Sequence, residues 1–196
     1  MKRLFDFGIA LFACIVLSPL LLVLGILIRL ETAGSSIYRQ ERIGKDEQPF
    51  QLLKFRSMRS DMAGPEITLG TTDPRITGIG HWMRKTKLDE LPQLWNIVKG
   101  DMSFVGPRPE VAQYVALYTP EQRQVLSVRP GLTDPASIEA FDEGARIASA
   151  EDPEAHYREV ILPAKVNLQL AYIRKANVLS DGWVIVRTLL RILQRG

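Results

Sequence analysis

The chain opens on an apolar run. No charged residue falls within positions 7–28, while Lys2, Arg3 and Arg29 flank the run. That is roughly 22 positions, enough to cross a hydrocarbon core and long for the apolar part of a secretory signal. Ser18-Pro19 interrupts it near the middle. Proline has no N–H for the carbonyl of Ile15, and the Ser18 hydroxyl can take up a carbonyl of the preceding turn, from Cys14 or Ile15. Each arm is then about 11 residues, or ~16 Å of helix, half the thickness of the core. Three topologies fit: a kinked spanning helix, a signal segment, or a bent hairpin that enters and leaves on one face. Basic residues at both ends suit the hairpin, because cations concentrate on the cytoplasmic side.

Beyond the run the period changes. Residues 37–44 and 50–58 read as two extended segments joined through Gly44-Lys45-Asp46 and Pro49. Arg42, Lys54 and Arg56 on this hairpin either flank a shared anion or face water. Residues 60–72 have the polar, glycine-containing composition of a loop or lid. Asp73-Pro74 predicts the cap and first-turn proline of a short helix whose apolar face is Ile76, Ile79, Trp82 and Met83. Leu91, Leu94, Trp95 and Val98 recur at helical spacing and predict a second helix, with Asp89, Glu90 and Pro92 in its first turn and Gly100 as its stop. An apolar stretch over 101–105 leads into Pro107-Arg108-Pro109, which holds one arginine on a stiff backbone.

In the last third, 111–117 predicts a helix. Thr119-Pro120-Glu121-Gln122 has the pattern of a capping box, and Arg129-Pro130-Gly131 is a second rigid turn presenting an arginine. Residues 133–147 show no period. Pro153 and Pro163 each predict the start of a helix. Near the end, Val186, Leu189, Leu190 and Leu193 form an apolar stripe beside Arg187, Arg191 and Arg195, with Trp183 upstream. By itself this pattern favours an amphipathic helix packed on the domain over an interfacial helix on an anionic leaflet, which it also resembles.

Composition narrows the chemistry. A single cysteine, Cys14, excludes a disulfide within the chain. His81 and His156 lack ligand spacing to it, so zinc is not expected, while a magnesium-type site of oxygen ligands stays open. The net charge of +3 suits an anionic membrane surface or a phosphorylated ligand. No nucleic-acid recognition motif is present. Asp89-Glu90 follows Arg84, Lys85 and Lys87. Acids at helix starts are common because they meet the positive dipole end. Carboxylates among cations are also what is needed to hold a divalent metal and a phosphate together.

Taken in order, Lys2-Arg3 with Asp6, Ser18-Pro19, YRQERIG, LLKFRSM, the block from DPRITGIGHWMRKTKLDELPQLWNIVKGDMSFVGPRPE, and RPGLT resemble the small monotopic phosphoglycosyl transferases of bacteria, the sugar transferase family. The resemblance implies a fold that is mainly α with a small β-hairpin. It divides the chain into a re-entrant membrane helix broken at Ser18-Pro19 (1–30), a compact cytoplasmic catalytic domain (31–178) and a C-terminal amphipathic interfacial helix (179–196). It implies transfer of a phospho-sugar from a UDP-sugar to polyprenol (undecaprenyl) phosphate at the cytoplasmic face of the bacterial inner membrane, releasing UMP and starting a glycoconjugate. Asp89 would be the nucleophile, and Asp89 and Glu90 would hold Mg²⁺. Lys54, Arg84 and Arg108 match the family's substrate-site cations. Arg56, Pro107, Pro109 and Arg129 complete the expected substrate-binding set. The expected partners are the donor, the lipid acceptor and membrane lipid, with the oligomeric state open to a homodimer. After RPGLT the chain departs from many relatives, and no catalytic residue is expected over 134–150. The sugar, the polyprenol and the final glycoconjugate are not legible.

Overall fold

A computed structural model describes residues 2–59, 73–139, 147 and 149–194. The loop expected over 60–72 and half of the patternless stretch before Ile147 lie outside the described residues.

Helices α1 (Lys2–Val16) and α2 (Ser18–Glu31) meet at a bend of 61°. The bend sits where proline removes a donor, and the Ser18 hydroxyl donates to the Ile15 carbonyl at 2.8 Å. No single helix among the described residues is long and apolar enough to cross a membrane, but the bent pair together passes on length and composition. The outer faces expose Leu4, Phe12, Ile15 and Leu22. The inner faces bury Ala10 against Leu52, Leu94, Ile97 and Met102, and Leu24 and Ile28 against Phe55 and Met83. Each such leucine or isoleucine taken from water contributes about 1.5–3 kcal/mol, so the hairpin is part of the core rather than an appendage to it.

The expected β-hairpin forms, β1 (Ile37–Ile43) pairing antiparallel with β2 (Pro49–Phe55), with Tyr38 opposite Lys54. Helix α3 (Gly78–Thr86) begins later than Asp73-Pro74 suggests. Thr77 caps it, its hydroxyl accepting from Gly80 N–H at 3.0 Å, while Asp73 turns to the Arg75 guanidinium at 2.7 Å. The segment between them bridges Met58 to Ile76 and is not helical. Trp82 and Trp95, expected on apolar helix faces, are half exposed.

Helix α4 (Gln93–Lys99) stops at Gly100, whose φ of 100° needs glycine. Two three-residue strands follow, β3 (Ser103–Val105) and, after α5 (Ala112–Val115), β4 (Gly131–Thr133). They pair in parallel. This second sheet was not expected, because three residues carry no readable period. Glycine permits it: a Cβ on Gly131 would lie 2.1 Å from the Gly106 nitrogen.

Thr119 and Gln122 exchange the reciprocal bonds of a capping box, at 3.2 and 3.0 Å, but the segment Gln122–Ser127 is 3-10 rather than α. A short helix, α6 (Pro135–Glu139), lies within the patternless stretch. The two helices expected at Pro153 and Pro163 are one continuous rod, α7 (Pro153–His156) and α8 (Leu162–Ile173) joined by a π turn over Tyr157–Ile161. Pro163 lacks the N–H that would bond the Glu159 carbonyl, and the backbone widens immediately before it. Helix α9 (Val178–Leu193) starts on an Asn177–Ser180 capping box. It buries Val184 against Val105 and Ile138, and leaves Leu179, Trp183, Leu189 and Leu193 exposed.

Candidate active site

Asp89 and Glu90 do not sit in the first turn of α4. Lys87 adopts a left-handed conformation, φ 59°, that ends α3 and reverses the chain. A separate 3-10 turn, Leu88–Glu90, then carries the two acids between α3 and α4. The outer ends of this helix–turn–helix are held by the bent helix pair α1–α2. Glu31, last residue of α2, accepts from the N–H groups of Gly78 at 2.7 Å and Ile79 at 3.2 Å, at the start of α3. Arg3, in the first turn of α1, donates to the carbonyls of Ile97 and Val98 at the end of α4. Both charges oppose the helix dipole they meet. Asn96 fixes α4 to the β-hairpin, accepting from Leu53 N–H at 3.0 Å and donating to Gln51 O at 2.7 Å.

Glu90 is surrounded by donors. Arg108 reaches Oε1 at 2.5 Å and Oε2 at 3.3 Å, and Lys54 reaches Oε1 at 3.2 Å. Burial disfavours its charge, but Arg108 and Lys54 outweigh burial and hold the carboxyl well below the usual range. Asp89 differs. It is 7% exposed, and its Oδ1 is buried with no hydrogen-bond partner. Burial and the neighbouring Glu90 push its pKa up, against Lys54, Lys87 and Arg84. Burial also lowers the pKa of Lys54, opposed by Glu90, and that of Arg84, opposed by Asp89. Arg84 is steadied by Ser57, whose hydroxyl accepts from its Nε at 2.9 Å.

Of the residues expected to bind substrate, Lys54, Arg84 and Arg108 converge on the acidic turn. Pro107 and Pro109 contribute backbone: their carbonyls accept from Gly131 N–H at 2.9 Å and from Arg42 at 3.1 Å. Arg56 lies elsewhere. Its guanidinium donates to Thr32 O and Ala33 O, both at 2.7 Å, closing the exit of α2. Arg129 donates to Gly100 O at 2.8 Å, behind α4. In this conformation both serve the scaffold.

No cluster of three or more metal-ligating side chains occurs among the described residues. The acidic pair nonetheless fits Mg²⁺, which is bound through one or two carboxylates and completes its shell with water and substrate phosphate. The partnerless Oδ1 of Asp89 is a buried acceptor without a donor, as a metal ligand would be. Asp89 would hold the ion, joined by Glu90 where a Glu90 oxygen exchanges Arg108 or Lys54 for the cation.

The family profile described as bacterial sugar transferase matches residues 1–195. The chain belongs to the bacterial sugar transferase family. An exopolysaccharide production protein of Rhizobium leguminosarum bv. phaseoli is 36% identical over 204 residues, covering 100% of this chain and 96% of the relative. A UDP-glucose:undecaprenyl-phosphate glucose-1-phosphate transferase of Caulobacter vibrioides is 32% identical over 98% of this chain and 69% of its own. An undecaprenyl-phosphate glucose phosphotransferase of Komagataeibacter xylinus is 36% identical over 97% of this chain. The chain spans 35% of that relative's length, and 62% of a Bacillus subtilis relative that is 49% identical over 110 residues.

Within this bacterial sugar transferase, several residues that shape the site were not singled out from the sequence. Lys87 was visible only as one cation of a basic run. Asp134 accepts from the Arg108 N–H at 3.0 Å and is 1% exposed. Glu110 is equally enclosed, bonded to Lys165 at 2.8 Å and Tyr157 at 2.9 Å. Asp134 and Lys165 lie in segments without a chemical motif, and only their burial reveals them.

Proposed function

We propose that this chain transfers a phospho-sugar from a UDP-sugar to polyprenyl phosphate at the cytoplasmic face of the membrane, releasing UMP, through a covalent aspartyl intermediate. The observation that carries the proposal is the contrast within the acidic turn: Glu90 is saturated by Arg108 and Lys54, while Asp89 keeps a buried oxygen without a donor. A carboxylate has two oxygens, so one can meet the cation that neutralises the donor while the other attacks phosphorus. The names of the relatives, which include transfer from UDP-glucose to undecaprenyl phosphate, support the donor and acceptor classes.

The chain's own residues would act as follows. Arg108 and Arg84 bind the donor's pyrophosphate and oppose its repulsion from the acids, the arginine fork matching phosphate oxygens. Mg²⁺, held by Asp89 and Glu90, would supply charge neutralisation of the pyrophosphate. Asp89 attacks the sugar-bearing phosphorus. The phosphorus–oxygen bond to the uridylyl phosphate breaks, UMP leaves with the bridging oxygen, and an aspartyl phosphosugar forms. A phosphate oxygen of the lipid then attacks the same phosphorus, and the Asp89 carboxylate is released. Two half-reactions let one site serve a soluble donor and a membrane-bound acceptor in turn. The bent apolar hairpin, with Lys2 and Arg3 at one end and Arg29 at the other, supports re-entry from one face.

Intact-protein mass after incubation with Mg²⁺ and a panel of UDP-sugars, without acceptor, tests the reading. A gain of one phosphosugar, absent in Asp89→Asn, is expected and identifies the sugar. UMP release only on adding lipid, with no adduct, would replace the covalent route by direct transfer. Neither adduct nor release with any donor would remove the transferase reading.

A further inference from the structure

Two buried carboxylates stand on either side of Arg108, and one helix holds both. Asp134 Oδ2 accepts from the Arg108 backbone N–H at 3.0 Å and from Gln169 Nε2 at 3.0 Å. Two residues beyond Arg108, Glu110 Oε1 accepts from Lys165 Nζ at 2.8 Å and from the Tyr157 hydroxyl at 2.9 Å. Its Oε2 faces Arg42 at 3.4 Å. Lys165 and Gln169 are four residues apart on α8 and therefore share a face. Lys165, Gln169, Glu110 and Asp134 are all buried.

Burying an ammonium, an amide and two carboxylates in a core that apolar residues would fill well is costly, and the cost is met only when every group is paired. Here the pairs converge on one backbone segment. Prolines make that segment stiff, but stiffness alone does not aim it. Three fixed points do: the Arg108 N–H on Asp134, the Pro109 carbonyl on Arg42, and the Glu110 carboxylate on Lys165. A guanidinium fork acts on phosphate only within a narrow range of angles, so small losses of aim are expensive.

We infer that α8 positions Arg108, with Lys165 and Gln169 as positioning residues that act through Glu110 and Asp134 to aim the guanidinium at Glu90 and at the donor phosphate. The inference rests on the transferase reading above and adds the residues that set the geometry of its phosphate-binding arginine.

The test is a double-mutant cycle with two readouts. Gln169→Leu is made in the wild-type chain and in Arg108→Lys, and kcat/KM for donor-dependent UMP release is measured beside the Tm. A loss of about 10-fold is expected in the wild-type background and less than about twofold once the fork is gone, because the aim then no longer matters. Equal losses in both backgrounds would mean general destabilisation and overturn the inference. If Gln169→Leu does not fold, the charge-free pair Glu110→Gln with Lys165→Met carries the same cycle. Hydrogen exchange of the backbone over 106–110 is the second readout. Exchange at least about 10-fold faster in Gln169→Leu is expected, and unchanged exchange overturns the inference. A wild-type chain that releases no UMP from any donor would instead sink the transferase reading, and the exchange result would still decide the positioning.

Discussion

Asp89 and Glu90 are neighbours in the chain in opposite electrostatic situations. Both Glu90 oxygens meet cations, whereas Asp89 Oδ1 is buried without a donor. Neutralising them should therefore change stability in opposite directions. Asp89→Asn removes a poorly compensated buried charge and is expected to stabilise the fold by about 1 kcal/mol, raising the Tm by ~2–4 °C while abolishing transfer. Glu90→Gln leaves Arg108 and Lys54 facing a neutral group and should cost about 2 kcal/mol, discounted for the partial exposure of both cations. Thermal unfolding of the two variants decides it. A lower Tm for Asp89→Asn would mean that its carboxylate is well satisfied.

The same contrast sets the pH dependence. On the proposed covalent route Asp89 must be ionised to attack, and in the metal-free chain burial and the neighbouring Glu90 raise its pKa above the ordinary aspartate value of 3.8. Protonation of Asp89 competes with loading of the cation, so at limiting Mg²⁺ activity is expected to fall as pH drops through that raised value, earlier than an exposed aspartate would require. For stability the sign follows from the shift. The ionised-state penalty at Asp89 is present above its raised folded pKa and is relieved as pH falls through it. Glu90 is depressed, so its contribution is present above 4.5 and is lost only as pH falls through its lower folded pKa. A pH–rate profile and pH-dependent unfolding should thus disagree: mild acidification removes activity before it removes stability. Parallel loss of both would contradict the assignment.

Arg108→Lys keeps the charge and discards the fork. Because Arg108 reaches both oxygens of Glu90, a lysine can hold only one of them and has no planar face for the pyrophosphate. The expected loss in kcat/KM for the UDP-sugar is about 10²-fold, with a Tm change much smaller than that of Glu90→Gln. An Arg108→Lys enzyme within a few-fold of wild type would reduce the arginine to a point charge.

What the sequence discloses follows from the scale of the signal. The helix break, the β-hairpin and the stop at Gly100 are legible because Ser18-Pro19, alternating residues and a glycine each act locally. The placement of Asp89-Glu90 is legible only to within a turn, since Lys87 in a left-handed conformation carries no compositional mark. The parallel pair β3–β4 is invisible for a different reason: its strands are three residues long and 28 positions apart, Ser103 against Gly131. The cations divide in the same way. Lys54, Arg84, Arg108, Arg56 and Arg129 read identically as substrate cations, and only the fold separates the first three, beside the acidic turn, from Arg56 on Thr32 and Ala33 and Arg129 on Gly100. Lys165 carries no motif, and only the fold encloses it.

The contact between the bent N-terminal helix pair and the start of α3 has a measurable consequence. Glu31 caps the start of α3 with a full negative charge, an arrangement worth about 0.5–1 kcal/mol where solvent reaches it. Glu31→Ala should lower the Tm by ~1–3 °C, and Glu31→Gln, which keeps an acceptor oxygen, by about half as much. High salt should narrow the difference between the two variants by screening the charge. Equal Tm values for Glu31→Ala and wild type would show that the carboxylate does not engage α3.

Re-entry itself is tested by where the two ends of the hairpin lie. In a Cys14→Ala background, single cysteines at Leu4 and Ser35 mark the two sides of the break, and both positions are exposed. A bent pair at 61° whose ends share one face predicts that a membrane-impermeant maleimide labels both cysteines in inside-out vesicles and neither in right-side-out vesicles. Replacing Ser18-Pro19 by Leu-Leu restores the missing N–H and an unbroken helix of spanning length. In that variant the Leu4 and Ser35 cysteines should label from opposite sides, and donor-dependent UMP release should fall, because Arg3 and Glu31 could no longer both reach the ends of the catalytic helix–turn–helix. Opposite-side labelling in the wild-type sequence would instead make the hairpin a kinked span.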